Sequence, residues 1–259
     1  MASCCGEKIK SLLTGDARDV RVLYFENIDS TNVFCKELSK QNTSSEICAV
    51  IANGQTKGKG TRGRSFISEG GKGLYMSILF YPSPSVRASD ITTFAAVKVC
   101  EALETLTPLR PKIKWVNDVY VSEMKLSGIL TEGEMVDGRL RYAIVGIGIN
   151  THGYTLPDEI SQIATSIERE CGLNIDREEL AALIISSFVN SICKIGTKTV
   201  MDEYRARSFI IGRDLTVNCG DRRFLARALG ISDSGELIVR TENGEVLELS
   251  SADVSLKLS

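Results

Sequence analysis

The sequence has few of the residues on which several common protein functions depend. Its 259 residues include one histidine, one tryptophan and five prolines. A metal centre built from histidines is therefore excluded, and histidine-based acid–base chemistry would depend on His152 alone. Every apolar run is shorter than the roughly 18 residues of a membrane-spanning helix, and the first residues lack the apolar core of a secretory signal. We therefore expect a soluble, cytoplasmic protein without a membrane partner.

The chain also lacks a strong charge imbalance. Lys and Arg number 31 against 33 Asp and Glu, a net charge of −2, so no overall field attracts nucleic acid or an anionic membrane. Hydrophobic residues make up 43% and charged residues 25%, which excludes a disordered chain. The eight cysteines are dispersed without a C-x-x-C pair, which argues against a zinc site or a thioredoxin-like redox motif.

Hydrophobic patterning predicts a mixed α+β domain. Short apolar runs that are typical of buried strands occur at 47–52, 74–80, 113–116, 127–132 and 142–149. Helices are predicted from Thr31 to about Ser39, from Asp90 to Leu106, and from a cap at Asp176 to about Ile195. Strands and helices do not alternate regularly, so we expect a mixed sheet with helices packed on one side.

After about Arg207 the pattern changes to short strands separated by turns. These strands are predicted at 215–219, 223–230, 236–240 and 246–249. The pair Asn243–Gly244 is typical of a hairpin turn in which both residues take a positive φ. We expect a small β-barrel here, so the predicted organisation is an N-terminal extension at 1–20, a larger domain at 21–208 and a β-domain at 209–259.

A cationic, glycine-rich loop follows the first predicted strand. Residues 54–64 contain four glycines and four cations, which are Lys57, Lys59, Arg62 and Arg64. Glycines let backbone N–H groups approach an anion, and the cations supply charge, so the loop fits a lid over a negatively charged ligand. The same composition also occurs in solvated surface turns. The glycine spacing resembles a dinucleotide-binding motif, but no helix follows it, and the chain has no P-loop motif.

Four further blocks place polar residues at the ends of predicted elements. Ser30-Thr31-Asn32 stands at a helix start, where a simple N-cap would also explain it. The run 114–118 (KWVND) ends one strand and the run 125–130 (KLSGIL) begins the next, a pattern that a plain hairpin with surface lysines would share. The run 146–150 (GIGIN) ends an apolar strand with glycines, which suggests close approach of a ligand or of backbone.

Taken in this order, the five blocks resemble those of the biotin–protein ligases, and the similarity runs from about Leu23 to the C-terminus. The resemblance implies a class II synthetase-like biotin/lipoate ligase domain followed by an SH3-like β-domain. It also implies a two-step reaction that uses ATP, biotin and Mg²⁺. The biotin carboxylate attacks the α-phosphate of ATP to give biotinyl-5'-adenylate. A lysine of a biotin acceptor protein, such as a carboxylase carrier domain, then attacks the adenylate.

The resemblance assigns a role to each block by position. Lys125 would be the principal electrostatic catalyst, placed between the biotin carboxylate and the α-phosphate. The biotin-binding residues would be Ser30, Thr31, Asn32, Gln55, Lys59, Gly60, Thr61 and Lys125. The ATP- and adenylate-binding residues would be Gly58, Lys59, Thr61, Arg62, Arg64, Asn117, Asp118 and Asn150. Of these, Asn117 and Asn150 would lie near the magnesium–phosphate site. Trp115 is not among the ligand-binding residues and would pack beneath the site.

Three positions depart from the family pattern. The family loop usually reads Gly-Arg-Gly-Arg-Arg-Gly-Arg, and this chain has Lys59 and Thr61 in place of two of its arginines. Lysine keeps the charge but loses the planar fork of the guanidinium. Thr61 removes a charge that helps to retain the adenylate in this family, so we expect weaker retention of the intermediate. Val116 replaces the usual proline before Asn-Asp.

The expected partner is an acceptor protein and not DNA. About 20 residues precede Val22, too few for the winged-helix domain of family members that also repress transcription. Pairing of two copies through sheet edges is common in the family and stays open here. The alternatives are a lipoate–protein ligase and a non-catalytic binder of biotin or nucleotide. A nucleic-acid module is disfavoured because the basic loop is short and contains no interleaved aromatic residues.

Overall fold

The structure is a computed structural model that describes residues 4–41, 45–153 and 162–256. Within these ranges the first sheet contains β1 (Arg21–Ile28), β2 (Cys48–Gln55), β3 (Gly73–Phe80), β4 (Lys112–Lys114), β5 (Asp118–Val121), β6 (Met124–Val136) and β7 (Arg139–Asn150). The α-helices are α1 (Cys4–Leu12), α2 (Thr31–Gln41), α3 (Ala88–Leu106), α4 (Ile167–Cys171), α5 (Arg177–Asn190) and α6 (Lys198–Arg207). The second sheet contains β8 (Asp214–Cys219), β9 (Arg222–Ile231), β10 (Leu237–Thr241), β11 (Val246–Leu249) and β12 (Asp253–Leu256).

The seven-stranded sheet is mixed, as the sequence predicts. Its strand order is β1-β2-β3-β7-β6-β5-β4, with β1 parallel to β2 and the other neighbours antiparallel. The expectation that helices pack on one side is wrong. Helix α2 packs on Val50 and Leu79, whereas α3 and α5 cover the opposite face, where Ile51 and Phe80 point. Strand β3 is buried along its whole length, so both of its faces need apolar cover.

Most of the helices predicted in the larger domain begin close to the expected residues. Helix α5 is capped by Asp176, whose Oδ1 accepts hydrogen bonds from the amides of Glu178 (3.0 Å) and Glu179 (3.1 Å). It ends at Asn190, earlier than predicted, and a separate 3₁₀ turn covers 192–194. The short helix α1 and the half-exposed edge strand β1 were not among the predicted elements. Their apolar patterns are weak because little of either element faces the core.

The second sheet confirms the predicted antiparallel β-domain. Its strand order is β11-β10-β9-β8-β12, and in the part of the chain that is described β11 and β12 do not pair with each other. Closure into a barrel therefore stays a prediction. At the β10–β11 turn only Gly244 has a positive φ (88°), whereas the sequence suggested a positive φ for Asn243 as well. The amide of Gly244 donates to the carbonyl of Thr241 (3.0 Å), so the connection is a longer loop ending in a left-handed glycine.

The two sheets share one apolar core. The buried cluster includes Phe94 and Phe188 from the helices and also Leu215 and Leu237 from the second sheet. Trp115 is buried, and its Nε1 donates to the carbonyl of Gly235 at 2.8 Å, which ties the β4–β5 turn to the β9–β10 turn. The boundaries at 20 and 208 stay predictions. None of the helices within the described ranges combines the length and apolarity needed to cross a membrane.

Candidate active site

A cavity of about 430 Å³ lies on the α2 face of the first sheet, beyond the first turn of α2. Strand alternation places it there, because Tyr142 and Ile144 lie beneath α2 while the next residues on the same face of β7 are Gly146, Gly148 and Asn150. Twelve of the predicted site residues line this cavity: Ser30, Thr31, Asn32, Gln55, Lys59, Gly60, Thr61, Arg64, Asn117, Asp118, Lys125 and Asn150.

Two predicted residues do not belong to the lining. A Cβ at Gly58 would meet the carbonyl oxygen of Phe66 at 2.3 Å, so this glycine is needed for packing within the loop. Arg62 points to the second sheet, where its Nη1 lies 2.9 Å from Oδ2 of Asp253. Trp115 also lies outside the cavity, in agreement with the expectation that it packs beneath the site.

The floor of the cavity is made of glycines. Gly128 on β6 and Gly148 on β7 lie directly opposite each other, and Gly146 faces Leu130 two pairs further along the ladder. The ring of Phe66 rests on this floor, because a Cβ at Gly148 would meet two of its ring carbons at 2.6 Å and one at Gly128 would meet it at 3.3 Å. The absent side chains therefore make room for a planar group against the sheet.

The polar end of the cavity is built from the start of α2 and the end of β2. The carbonyl of Ser30 accepts the first helical bond, from the amide of Phe34, so Ser30 occupies the N-cap position. The Oε1 atom of Gln55 accepts from the amide (2.9 Å) and the hydroxyl (3.1 Å) of Thr31, and its Nε2 donates to Ser68 (2.8 Å). Neutral donors and acceptors, together with the positive end of the helix dipole, therefore face this part of the cavity.

Ser77 and Glu132 hold the polar end in place. The hydroxyl of Ser77 lies 2.7 Å from Oγ1 of Thr31 and 2.6 Å from Oδ1 of Asn32. The Nδ2 atom of Asn32 donates to the carboxylate of Glu132 at 2.6 Å. A Cβ at Gly146 would meet Oδ1 of Asn32 at 2.2 Å, so a larger residue there would displace this amide. Thr31, Asn32 and Ser77 are buried, so each would lose a hydrogen-bond partner that water could not replace if it moved.

The charged end of the cavity contains Lys125 and Asp118. Their Nζ and Oδ1 atoms are 2.8 Å apart, and the Lys125 side chain is 30% exposed. The Lys125 backbone pairs with the segment 163–165, since its amide donates to the carbonyl of Ile163 (2.8 Å). Burial lowers the pKa of nearby Lys114, and Lys125 lowers it further, whereas Asp118 raises it. These cations form a locally positive field suited to an anion.

The amides of Asn117 and Asn150 lie on the same side of the cavity as Lys125. Asn117 Nδ2 donates to the carbonyl of Ile129 (2.7 Å), and Asn150 Nδ2 donates to that of Thr165 (2.9 Å). The oxygen atom of each side-chain amide takes no part in these two hydrogen bonds. Among the described residues, no group of three or more His, Cys, Asp or Glu side chains is placed to hold a metal ion. Two amide oxygens and the Asp118 carboxylate suit a hard cation held mainly by substrate phosphates and water.

The cationic loop folds as an irregular hairpin, named here the flap (residues 56–67). Its two sides are joined by hydrogen bonds from the amide of Phe66 to the carbonyl of Gly58 (2.9 Å) and from the amide of Gly60 to the carbonyl of Arg64 (2.7 Å). Arg64 also donates to Oγ1 of Thr61 at 3.1 Å. Within the described range 45–153 the next element after the flap is strand β3, so the glycine spacing does not open a helix as a dinucleotide-binding motif would.

Four contributors to the site were absent from the predicted set: Phe66, Ser68, Ser77 and Glu132. Ser77 could have been found from the sequence, because it is the one serine or threonine within the apolar run of β3 and a buried aliphatic hydroxyl needs a partner. The sequence signal for Phe66 is weaker: it is an aromatic residue that follows a loop of glycines and cations. Nothing in the local sequence links Glu132 to Asn32, which precedes it by 100 positions.

Comparison with known proteins agrees with this geometry. The Biotin/lipoate A/B protein ligase family matches residues 24–150, and the biotin protein ligase C-terminal domain matches residues 210–257. The chain is 32% identical over 241 residues to the bifunctional ligase/repressor BirA of Bacillus spizizenii, covering 91% of this chain and 74% of that protein. It is 28% identical to the biotin--[acetyl-CoA-carboxylase] ligase of Paracoccus denitrificans, covering 83% and 92%.

A solved structure has the same architecture. The biotin protein ligase from Aquifex aeolicus in complex with biotin and ATP aligns with a TM-score of 0.77 at 30% identity, covering 92% of this chain and 99% of that one. The chain therefore belongs to the biotin/lipoate A/B protein ligase family. Within that family its enzyme class is biotin–protein ligase, because the match to the C-terminal domain and the curated relatives agree on that branch.

Proposed function

We propose that this chain activates biotin with ATP as biotinyl-5'-adenylate and transfers it to a lysine of an acceptor protein such as a carboxylase carrier domain. The observation that carries the proposal is that one cavity contains the start of α2, Lys125 and the flap. Its volume of about 430 Å³ suits a small ligand. The similar Aquifex aeolicus structure is a complex with biotin and ATP.

The polar end of the cavity fits the uncharged head of biotin. The ureido group carries two N–H donors and one carbonyl oxygen, and Ser30, Thr31, Asn32 and Gln55 offer hydroxyl and amide groups at that end. The fused rings would lie in the cavity beside the ring of Phe66, which covers Gly128 and Gly148 and also lines the cavity. The valeryl carboxylate would then extend toward Lys125.

The first chemical step brings two anions together. A carboxylate oxygen of biotin bonds to the α-phosphorus of ATP, and the bond from that phosphorus to the leaving pyrophosphate breaks. Two unit charges at 4 Å repel by about 4 kcal/mol at an effective dielectric of 20. Lys125 would offset this repulsion, and Asp118 would hold its ammonium group in place. Lys59 and Arg64 of the flap would add positive charge from the other side.

In the second step the acceptor lysine supplies the nucleophile. Its neutral amine attacks the carbonyl carbon of the adenylate, the bond to the phosphate oxygen breaks, and AMP leaves while the new amide loses a proton. No protein nucleophile is needed. When bound, Mg²⁺ would neutralise charge on the phosphates of ATP, and the oxygens of Asn117, Asn150 and Asp118 are the side-chain atoms that would help to hold it.

The cytoplasmic location belongs to the same proposal. ATP is a substrate, and the eight cysteines are free thiols, as expected for a reducing compartment. The proposed activity is ligation without repression, so a carrier domain and not DNA is the expected partner.

The proposal is tested by pyrophosphate release and by transfer of labelled biotin to a carrier domain. We expect both activities with biotin, ATP and Mg²⁺, and a loss of about 10²–10³-fold in adenylation for Lys125→Gln. Lys112→Gln is the matched control, because this lysine is exposed on neighbouring β4 and does not line the cavity. Undiminished turnover in Lys125→Gln would contradict the mechanism. Activity with lipoate but not with biotin would assign the chain to lipoate ligation instead, and biotin binding without turnover would make it a non-catalytic binder.

A further inference from the structure

Two arginines of the flap converge on one carboxylate of the second sheet. Arg62 Nη1 lies 2.9 Å from Oδ2 of Asp253, and Arg64 Nη2 lies 3.0 Å from its Oδ1. Arg62 also donates to the hydroxyl of Ser251 at 3.0 Å. Asp253 begins β12, an edge strand of that sheet. The tip of the flap is therefore held by the C-terminal part of the chain.

The backbone of Arg62 provides a second, independent observation. Its φ of 58° lies in the left-handed region, which is uncommon for a residue with a side chain and persists where the surroundings hold it. The side chain reaches Asp253 and Ser251 from this conformation. Arg62 does not line the cavity, whereas its neighbours Thr61 and Arg64 do. The Arg62 side chain thus acts on the position of the flap and not on a ligand in the cavity.

We propose that Asp253 is a positioning residue that anchors the flap over the cavity, so that the second sheet controls how long the adenylate is retained. This inference rests on the proposed function. The ion pairs that form this anchor are weak. Both arginines and the carboxylate are partly exposed, and exposed ion pairs are screened by water. A weak anchor suits a lid that has to open for the acceptor lysine.

Flap opening is measured without any chemistry by limited trypsin cleavage after Lys57 and Lys59, both of which are exposed. We expect Asp253→Asn to be cut about fivefold faster than the unsubstituted chain, the effect of losing partly exposed ion pairs. Asp214→Asn is the matched control, since Asp214 pairs with Arg227 at 3.8 Å on the same sheet and does not contact the flap. Asp253→Glu should restore protection. Equal cleavage of Asp253→Asn and Asp214→Asn would overturn the proposal.

Adenylate release in single turnover tests the consequence for the reaction. We expect Asp253→Asn to release the adenylate about fivefold faster, and Arg62→Gln to have a smaller effect because it leaves the Arg64–Asp253 pair in place. In the double variant the two effects should not add fully, because both substitutions remove the Arg62–Asp253 contact. If Arg62→Gln raised the KM for ATP while Asp253→Asn did not, Arg62 would be a substrate ligand and the proposal would fail. A chain that formed no adenylate would refute the proposed function, whereas the cleavage result would still decide whether the flap is anchored.

Discussion

Gly148 offers a direct test of how the flap is seated on the sheet. A Cβ placed there meets Cε1 and Cζ of Phe66 at 2.6 Å, whereas carbon atoms in contact are ordinarily about 3.5–4.0 Å apart. In Gly148→Ala the ring must therefore move by about 1 Å, and its edge-on packing against Tyr75 is disturbed. Overpacking of this kind costs about 1–3 kcal/mol. Because the ring is on the flap, we expect part of this cost to appear as flap opening.

The assay is urea unfolding combined with trypsin cleavage after Lys57 and Lys59. We expect Gly148→Ala to lower the free energy of unfolding by about 1–2 kcal/mol and to speed cleavage of the flap. Gly230→Ala is the control, since no heavy atom lies within 4 Å of a Cβ at that position in β9, and its effect should stay within about 0.5 kcal/mol.

The double variant Phe66→Ala/Gly148→Ala separates a clash from a general strand effect. Phe66→Ala removes the atoms that the new methyl group meets, so adding Gly148→Ala to it should cost much less than adding it to the unsubstituted chain. Additive costs in this cycle, or a Gly148→Ala variant as stable as Gly230→Ala, would refute the reasoning and mean that the ring is not seated on the glycine floor.

Three further outcomes are expected. Thr61→Arg should slow adenylate release about fivefold, because it returns a cation to the cavity lining, and equal release rates would dispose of the idea. Asp176→Ala should lower the free energy of unfolding by about 1 kcal/mol at pH 7, through loss of the α5 cap. Burial raises the pKa of the Asp176 carboxyl, but hydrogen bonds from Lys8 and from the amides of α5 lower it from 3.8 to about 2. Because the folded pKa is the lower one, the contribution is present above pH 4 and is lost as the pH falls toward 2, so a pH-independent difference in urea unfolding would contradict it. Trp115→Phe should cost about 1–3 kcal/mol in thermal unfolding, since it leaves the Gly235 carbonyl without its 2.8 Å partner, and an unchanged Tm would exclude that bond as a stabilising contact.

Elements with a strong apolar period were predictable, and those at the margin of the core were not. Helix α3 and strands β3 and β7 are buried through most of their length, so their apolar residues reveal both type and position. Strand β1 is half-exposed at the sheet edge, and its mixed composition gives no clear period. The placement of α2 on the opposite face from α3 could not be deduced, because local patterns do not specify which face of a sheet a helix will cover.

The candidate site likewise contains residues that the sequence reveals and contacts that it does not. Residues such as Lys125 and Asn150 lie at strand ends, and the polar blocks that contain them are visible in the sequence. Contacts such as that between Arg64 and Asp253, 189 positions apart, leave no local trace. Arg62 is a clear case, because its charge suggests a phosphate ligand whereas its side chain contacts Asp253 of the second sheet.

The amino-acid sequence by itself determined the class of elements, the cationic loop and the order of the polar blocks, since each of these depends on neighbouring residues and their intrinsic chemistry. Only the tertiary structure decided that a glycine floor receives Phe66, that Ser77 joins the start of α2 to the sheet, and that the second sheet holds the flap. Those arrangements depend on strand register and on contacts between distant segments. A chain reaches them only when its whole core is packed.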